Sequence, residues 1–527
     1  MNILISDTVH AIIFLPYVIL ISGLLAVVQR LFFHPLSSFP GPRLAAASSL
    51  YKTYYEVMKG GELLERIHHL HSIHGPVIRI GPNELHFADY RAYSEIYSVG
   101  SHLTKDPQFY SCFGASGSAF GAIDPRTSKM RRGFMHAFFS RRAVIRLEDV
   151  IQQKVERLVS KLEKSYTPQN AFLAFRSATL DIITSYMFGH CLDALDYPDF
   201  RSPLLLNIQL ALPLLWVIKS FPCFIPVLAI LPSWTGRRLH EQFKALLFIR
   251  EFLLSWLGRT AKEAEMYPDS HDYTICHHLF YASAKASDAF PSLQSVVHEA
   301  LSLLQAGSDT VGNTCTVGTF YVLNDKVVYA RLVEELRSNW PDKDQPIELS
   351  ILQNLPYLTA VIKEALRLSH GFVTPLPRVV GPAGARIIGR YIPPNTVVGM
   401  SVTYVHLNSA LFPDPTLFTP ERWLQPSSHK LSRYLVPFSA GPRMCLGVSM
   451  AWAELYLFFG YMFRKLDIQI VDTEYVNFSC VEAPRFIVCH SIGDFCTFKD
   501  YFVPVHEGRH LHIQNVDQCI AISSTSS

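Results

Sequence analysis

The residues best suited to chemistry lie in two stretches far apart in the chain. The first is Phe438-Ser-Ala-Gly441-Pro-Arg443-Met-Cys445-Leu-Gly447, which sets one cysteine in a turn punctuated by glycine and proline. Behind it the apolar positions Leu446, Met450, Ala453, Leu457 and Tyr461 recur at helical spacing, so a helix is predicted to begin at or just past Cys445. A helix N-terminus and the neighbouring Arg443 both favour a thiolate, the form that ligates a soft or borderline metal. The second stretch is Ala306-Gly307-Ser308-Asp309-Thr310, followed by Gly312, inside a run from Leu301 to Phe320 that otherwise reads as a buried helix. Glycine in a helix costs about 1 kcal/mol relative to alanine, and Asp and Thr compete for backbone hydrogen bonds, so something must offset this notch. A local kink with a satisfied aspartate is the structural alternative to a functional one.

A lone loop cysteine is as a rule inert packing, and it is the spacing around Cys445 that sets it apart. No Cys-x-x-Cys and no neighbouring histidine completes a zinc set, so a single sulfur would serve a cofactor that brings its other ligands with it, as haem does. The pattern F-x-x-G-x-R-x-C-x-G resembles that of the cytochrome P-450 family at every fixed position. The resemblance implies a mainly α fold with a small β subdomain and haem b as cofactor, held by the axial thiolate of Cys445. It makes Phe438, Gly441, Arg443 and Gly447 the shapers of the cofactor loop. It also makes residues 306–310 the oxygen-activation motif, in which small residues leave room for dioxygen. Asp309 and Thr310 become the catalytic pair, Thr310 hydrogen-bonding the oxygen substrate and Asp309 relaying protons from solvent.

Other motifs follow in the family's order. Glu364-Ala-Leu-Arg367 sets an acid and a base on one helical face, and Phe418-Thr-Pro-Glu-Arg422-Trp423 follows it. By resemblance Glu364, Arg367 and Arg422 form one structural network, with Trp423 where many relatives have Phe. Arg378, in the proline-stiffened Phe372–Arg378 stretch, is expected against a haem propionate, with Val373 to Leu376 bordering the substrate. Arg132 is the second propionate candidate, one of the adjacent pair Arg131 and Arg132 that point about 100° apart on a helix. Four residues earlier the family has Trp or His and this chain has Ser128. Phe109, Phe113 and Phe120 fall where the family's variable loop covers the pocket, Ala306 and Phe495 complete the candidate lining, and Ser491–Phe495 resembles a closing hairpin. Lys129, Arg131, Arg141 and Arg142 form a candidate basic surface for an acidic electron-transfer partner, the NADPH-dependent flavoprotein reductase that the resemblance implies.

These motifs need a large body to position them. The chain has 527 residues with no internal repeat or linker, 49% hydrophobic and 17% charged residues, and a net charge of +3 that gives no nucleic-acid footprint. Ten irregularly spaced cysteines make no disulfide framework, which favours a reducing compartment. Residues Ala11 to Val28 carry no charge and as a helix would reach roughly 27 Å, the thickness of a bilayer core. Positive charge follows this run, so one span is expected with the body in the cytosol, in the endoplasmic reticulum membrane. The expected division is an anchor at 1–34, a proline-rich hinge at 35–45, the catalytic domain at 46–518 and a polar tail at 519–527. Gly75–Phe87 reads as a hairpin, and Leu147, Ile151, Val155, Leu158 and Leu162 as one face of a helix. The apolar stretch 204–231, broken by prolines, reads as a surface that dips into the bilayer rather than a second span.

The reading is therefore a monooxygenase that inserts one oxygen atom from dioxygen into an apolar small molecule. The hinge and the basic helix most resemble fungal enzymes of specialised metabolism, including trichodiene-oxygenase-like members, which points to a terpenoid. A haem-thiolate isomerase or dehydratase is the rival enzyme, against which the intact Asp309-Thr310 pair argues. A non-catalytic haem sensor or electron carrier is the rival outside catalysis. A carrier would need a second axial ligand, and no His or Met lies between Leu301 and Phe320.

Overall fold

A 32-residue helix, Leu293–Asn324, is the element against which the others are stacked. Three helices pack along it: Ala171–Phe188 (here the cross helix), Pro356–Ser369 and Val448–Lys465 (the cysteine helix). The computed structural model describes residues 2–222, 237–266, 274–285, 293–470, 497–501, 503–507 and 511–515.

The glycine notch does not break this central helix. Thr310 Oγ donates to Ala306 O at 3.0 Å, Thr314 Oγ to Thr310 O at 3.2 Å and Thr316 Oγ to Gly312 O at 2.8 Å, so the hydroxyls bond back within the helix. The glycines have another purpose. A Cβ on Gly307 would lie 2.7 Å from Ile183 Cγ1, and one on Gly312 would lie 3.1 Å from the backbone nitrogen of Arg176. Both positions are used for close approach of the cross helix, and this corrects the expectation that they open space for dioxygen. The cross helix is itself buried nearly all round, capped by Asn170 and ended by Gly189 at φ 75°.

Periodicity is read out directly elsewhere. The helix Glu148–Glu163 buries Ile151, Val155, Leu158 and Leu162. The hairpin Val77–Gly81 and Glu84–Phe87 forms one edge of a five-stranded sheet, continued by Val397–Gly399, Arg378–Val379 and Thr104–Lys105. In that sheet Lys105 pairs with Arg378, which sets two cations beside each other.

The expected hinge is docked rather than free. Arg79 N donates to Pro40 O at 2.7 Å, Leu36 is fully buried, and a Cβ on Gly41 would meet Arg79 O at 2.3 Å. Arg79 Nη1 also reaches Arg30 O at 2.9 Å, and Arg30 Nη1 reaches Ala47 O at 2.8 Å, so the end of the N-terminal apolar helix is stitched to the body. The helix Pro203–Ser220 packs one side into the protein and leaves Leu210 exposed on the other. It buries Leu204, Leu205, Ile208, Leu214 and Trp216 in the protein, and Lys219 pairs with buried Glu56 at 2.5 Å. Residues 223–231, Phe495 and the polar tail lie outside the described residues.

Candidate active site

The cysteine loop is shaped by one backbone constraint. Gly441 adopts φ 69°, and a Cβ there would sit 2.1 Å from Tyr97 O, so only glycine lets the loop turn against that helix. Past the turn, Cys445 N donates to Phe438 O at 2.8 Å, which fixes the cysteine beneath the half-buried Phe438 ring. The Cys445 side chain is accessible although it lies deep in the protein, so its sulfur faces an internal slot. Burial pushes the thiol above its ordinary range, while the Gly447 N–H and the Arg132 charge pull it back. The following helix starts only at Val448. Coordination to a metal would favour loss of the Cys445 proton.

Beside the sulfur, four cations converge. The ammonium of Lys105 is driven far below its usual range by burial, then by the charges of Arg378, Arg443 and Arg132. Arg378 Nη1 donates to Tyr110 Oη at 2.7 Å, and Arg443 reaches Ile123 O at 3.3 Å. Lys105 donates to Phe120 O and lies over the rings of Tyr110 and Phe120 at 4.3 and 4.9 Å. Among the described residues none of the four is ion-paired with a carboxylate. Such mutual repulsion in a buried place is relieved by an anion, and the two carboxylates of a haem fit it. Lys105 was not singled out by the sequence, because a lysine on a two-residue strand gives no local sign that its pairing register will place it against Arg378. Ser128 is buried and its hydroxyl has no partner among the described residues.

On the central helix, Ala306 is exposed and Thr310 half-buried, in contrast to the packed positions around them. Asp309 does not point to solvent. It is buried and ion-paired through Oδ1 to Arg176 Nε on the cross helix, a residue that is itself fully buried. Asp309 Oδ2 and both Arg176 Nη atoms have no partner among the described residues, and nearby Cys315 feels the charges of both Arg176 and buried Glu454. Burial pushes Glu454 up to about 8. Arg176 was legible in principle, as a lone cation in the apolar run Phe172–Leu180.

Among the described residues no cluster of three or more His, Cys, Asp or Glu could hold a metal ion, so Cys445 stands as a single protein donor. The family model for cytochrome P450 matches residues 42–483. The chain belongs to the cytochrome P450 family. It is 34% identical over 456 residues to the cytochrome P450 monooxygenase macH of Penicillium terrestre, covering 85% of this chain and 89% of that protein. It is likewise 34% identical to conidiogenone synthase PchP450 of Penicillium rubens, covering 84% of this chain and 90% of that one. A monooxygenase of Ascocoryne sarcoides, MO6277, is 32% identical over 86% of this chain and 90% of its own. The protein is therefore an oxidoreductase of a family whose cofactor is a haem with a thiolate ligand, and its mainly helical fold with small sheets is that family's.

Within the P450 frame the remaining predicted residues divide. Glu364 accepts from Arg367 Nη2 at 2.7 Å and from Arg422 Nε at 3.0 Å, so the predicted triad is brought together. Trp423 Nε1 also donates to Glu364 at 2.8 Å, a bond that the Phe of many relatives could not make. Phe120 presents surface, whereas Phe109 and Phe113 are almost covered by each other and by Trp216 and stand behind the wall. Val373 is fully buried and does not line a cavity, while its neighbours Phe372 and Pro375 are partly exposed. Arg131 turns inward to Gly117 O and Ser295 Oγ, which removes it from the expected basic surface and leaves Lys129, Arg141 and Arg142 exposed.

Proposed function

We propose that this P450 is a membrane-anchored haem-thiolate monooxygenase that oxygenates an apolar metabolite, a terpenoid or similar secondary product, with electrons from NADPH through a flavoprotein reductase. The observation that carries the reading is the inward-facing, accessible Cys445 beside the four converging cations. Bound there, haem would supply activation of dioxygen. Cys445 Sγ would be the sulfur ligand, and Lys105, Arg132, Arg378 and Arg443 would take the two propionates. The Thr310 hydroxyl, now bonded to Ala306 O at 3.0 Å, would orient the oxygen substrate. Asp309, held through Oδ1 by Arg176, would keep Oδ2 available for proton relay.

The finer parts of the reading have their own support. Residues 14–25 are apolar and exposed, and Arg30, Arg43 and Lys52 follow them, as expected of an anchor in the endoplasmic reticulum with a cytosolic body. Phe120, backed by the buried rings of Phe109, Phe113 and Trp216, gives an aromatic wall that suits a hydrocarbon-rich substrate, and a related protein is a synthase by name. Lys129, Arg141 and Arg142 would face the reductase.

The test is the carbon monoxide difference spectrum of the reduced, haem-loaded protein. A thiolate-type band is expected; a band of the kind given by a nitrogen or neutral-thiol ligand would refute the assignment of Cys445. A second expectation concerns Thr310→Ala. NADPH consumption should continue while the fraction ending in product falls on the order of tenfold and hydrogen peroxide accumulates. Coupling equal to that of the unmodified enzyme would remove Thr310 from proton handling.

A further inference from the structure

The loop Cys112–Ile123 covers the slot between the short helix Pro107–Ser111 and the helix Pro125–Phe139, and it is folded on itself. Ser118 N donates to Ala115 O and Ala122 N to Ser118 O, both at 2.9 Å, and Gly121 passes so close that a Cβ would lie 1.9 Å from Ala115 O. The polar groups that point away from this knot are held from two sides. On the haem-edge side, Lys105 takes Phe120 O, and Arg443 takes Ala122 O and Ile123 O. On the side of the central helix, Gly117 N donates to His298 Nδ1 at 3.0 Å, Ala119 N donates to Glu299 Oε2 at 2.8 Å, and Ser295 Oγ donates to Gly117 O at 2.6 Å.

Glu299 is the carboxyl member of this clasp and is buried. Burial pushes its carboxyl up to about 7, against the pull of the Ala119 N–H and the Arg131 charge. It lies 11 positions before Thr310, about three turns, so the two share one face of the helix. The residue that fixes the loop and the residue that meets the substrate are thus set by the same rigid rod.

We propose that Glu299 is a positioning residue for substrate selection. By holding Ala119 it fixes the distance between the adjacent Phe120 and the Thr310 face of the central helix. With that bond gone, the loop stays fastened at Lys105 and Arg443 and, through Gly117, at His298 and Ser295, and it is the Ala119 segment between these ties that loosens. The pocket then loses its wall against bulky ligands and keeps its centre. The inference rests on reading the Cys445 slot as a haem pocket, and the experiment separates the two.

The probes are imidazole and 1-phenylimidazole, both of which ligate haem iron through nitrogen and shift its absorption. In Glu299→Leu the affinity for 1-phenylimidazole is expected to fall by about tenfold, the loss of one buried hydrogen bond, while that for imidazole changes by less than about twofold. Glu299→Gln, which keeps an acceptor oxygen for Ala119, should restore most of the difference. Equal changes for both probes, or none, overturn the proposal, as does a failure of Gln to restore. Should Glu299→Leu not fold, amide exchange in the unmodified protein decides: Ala119 should exchange much more slowly than Ser116, and equal rates refute the clasp. Absence of the thiolate-type carbon monoxide band would instead sink the haem reading and leave the amide result standing.

Discussion

Glu364→Gln is expected to lower the stability of the folded protein by about 3–5 kcal/mol, the cost of leaving buried charge without its partner. The carboxylate is fully buried and accepts from Arg367 Nε and Nη2, Arg422 Nε, Thr419 N and Trp423 Nε1, all between 2.7 and 3.0 Å. Glutamine matches its shape and removes its charge, so the guanidinium of fully buried Arg367 would face only the carbonyls of His406, Pro415 and Leu417. Arg422 is partly exposed and also bonds Pro413 O, so Arg422→Ala should cost less than Arg367→Ala. Trp423→Phe should cost about 1 kcal/mol, the value of one hydrogen bond. Denaturant unfolding of the four variants checks both size and order. A Glu364→Gln protein within about 1 kcal/mol of the original would mean that the network contributes little to folding.

Acidification is expected to unfold the protein well above the pH at which its carboxylates are protonated. Five buried histidines, His68, His71, His86, His370 and His406, gather around Tyr404 and the end of the helix Pro356–Ser369. Their bonding assigns neutral tautomers. Ser401 N donates to His86 Nε2 at 3.3 Å, so His86 Nδ1 carries the proton and donates to His71 Nε2 at 2.7 Å; His71 Nδ1 in turn donates to Gly75 O at 2.7 Å. Burial, and then repulsion from neighbouring imidazoles and cations, holds His68 and His370 down to about 3 and His71 to about 4, with His86 and His406 well below the ordinary value.

The sign follows from these directions. In the unfolded chain each ring titrates near 6.5, so above that pH neither state is charged and nothing is lost. As the pH falls below it, the unfolded state takes up protons that the folded state refuses, and stability drops by about 1.4 kcal/mol per unit for each ring. At pH 5 that is about 2 kcal/mol each, and five together approach the whole stability of a typical domain. The melting temperature should therefore fall steeply between pH 6.5 and 5. A flat profile over that window would show that the rings are not held neutral in the fold.

What could be read from the chain before folding was whatever is local. The cysteine loop, the hairpin at Val77–Phe87 and the acid and base of the 364–367 turn each lie within a few residues, so spacing alone defines them. Residues whose role depends on a distant partner could not be read. Lys105 depends on Arg378 and Glu299 on Ala119, each pair separated by well over a hundred positions, and nothing in their own neighbourhoods marks the match; Arg176 stands out as a lone cation in an apolar run, but that does not name Asp309 as its partner. Sequence also misjudged what small residues are for. Gly307 and Gly312 stand in the motif that suggests an open space, yet they are filled by Ile183 and the Arg176 backbone, because helix contact competes for the same feature.

The two arginines at the base of the N-terminal helix bear on orientation. Arg79 reaches the carbonyl of Arg30, and Arg30 reaches that of Ala47, with Pro40 O between them accepting from Arg79 N on the sheet edge. A body fastened in this way has no swivel. Were the helix embedded in a lipid leaflet, its tilt would be transmitted rigidly through these bonds, and the direction in which the Cys445 slot opens would be set relative to the leaflet plane. Compass and depth would then be encoded in a pair of guanidinium contacts rather than in the length of a tether.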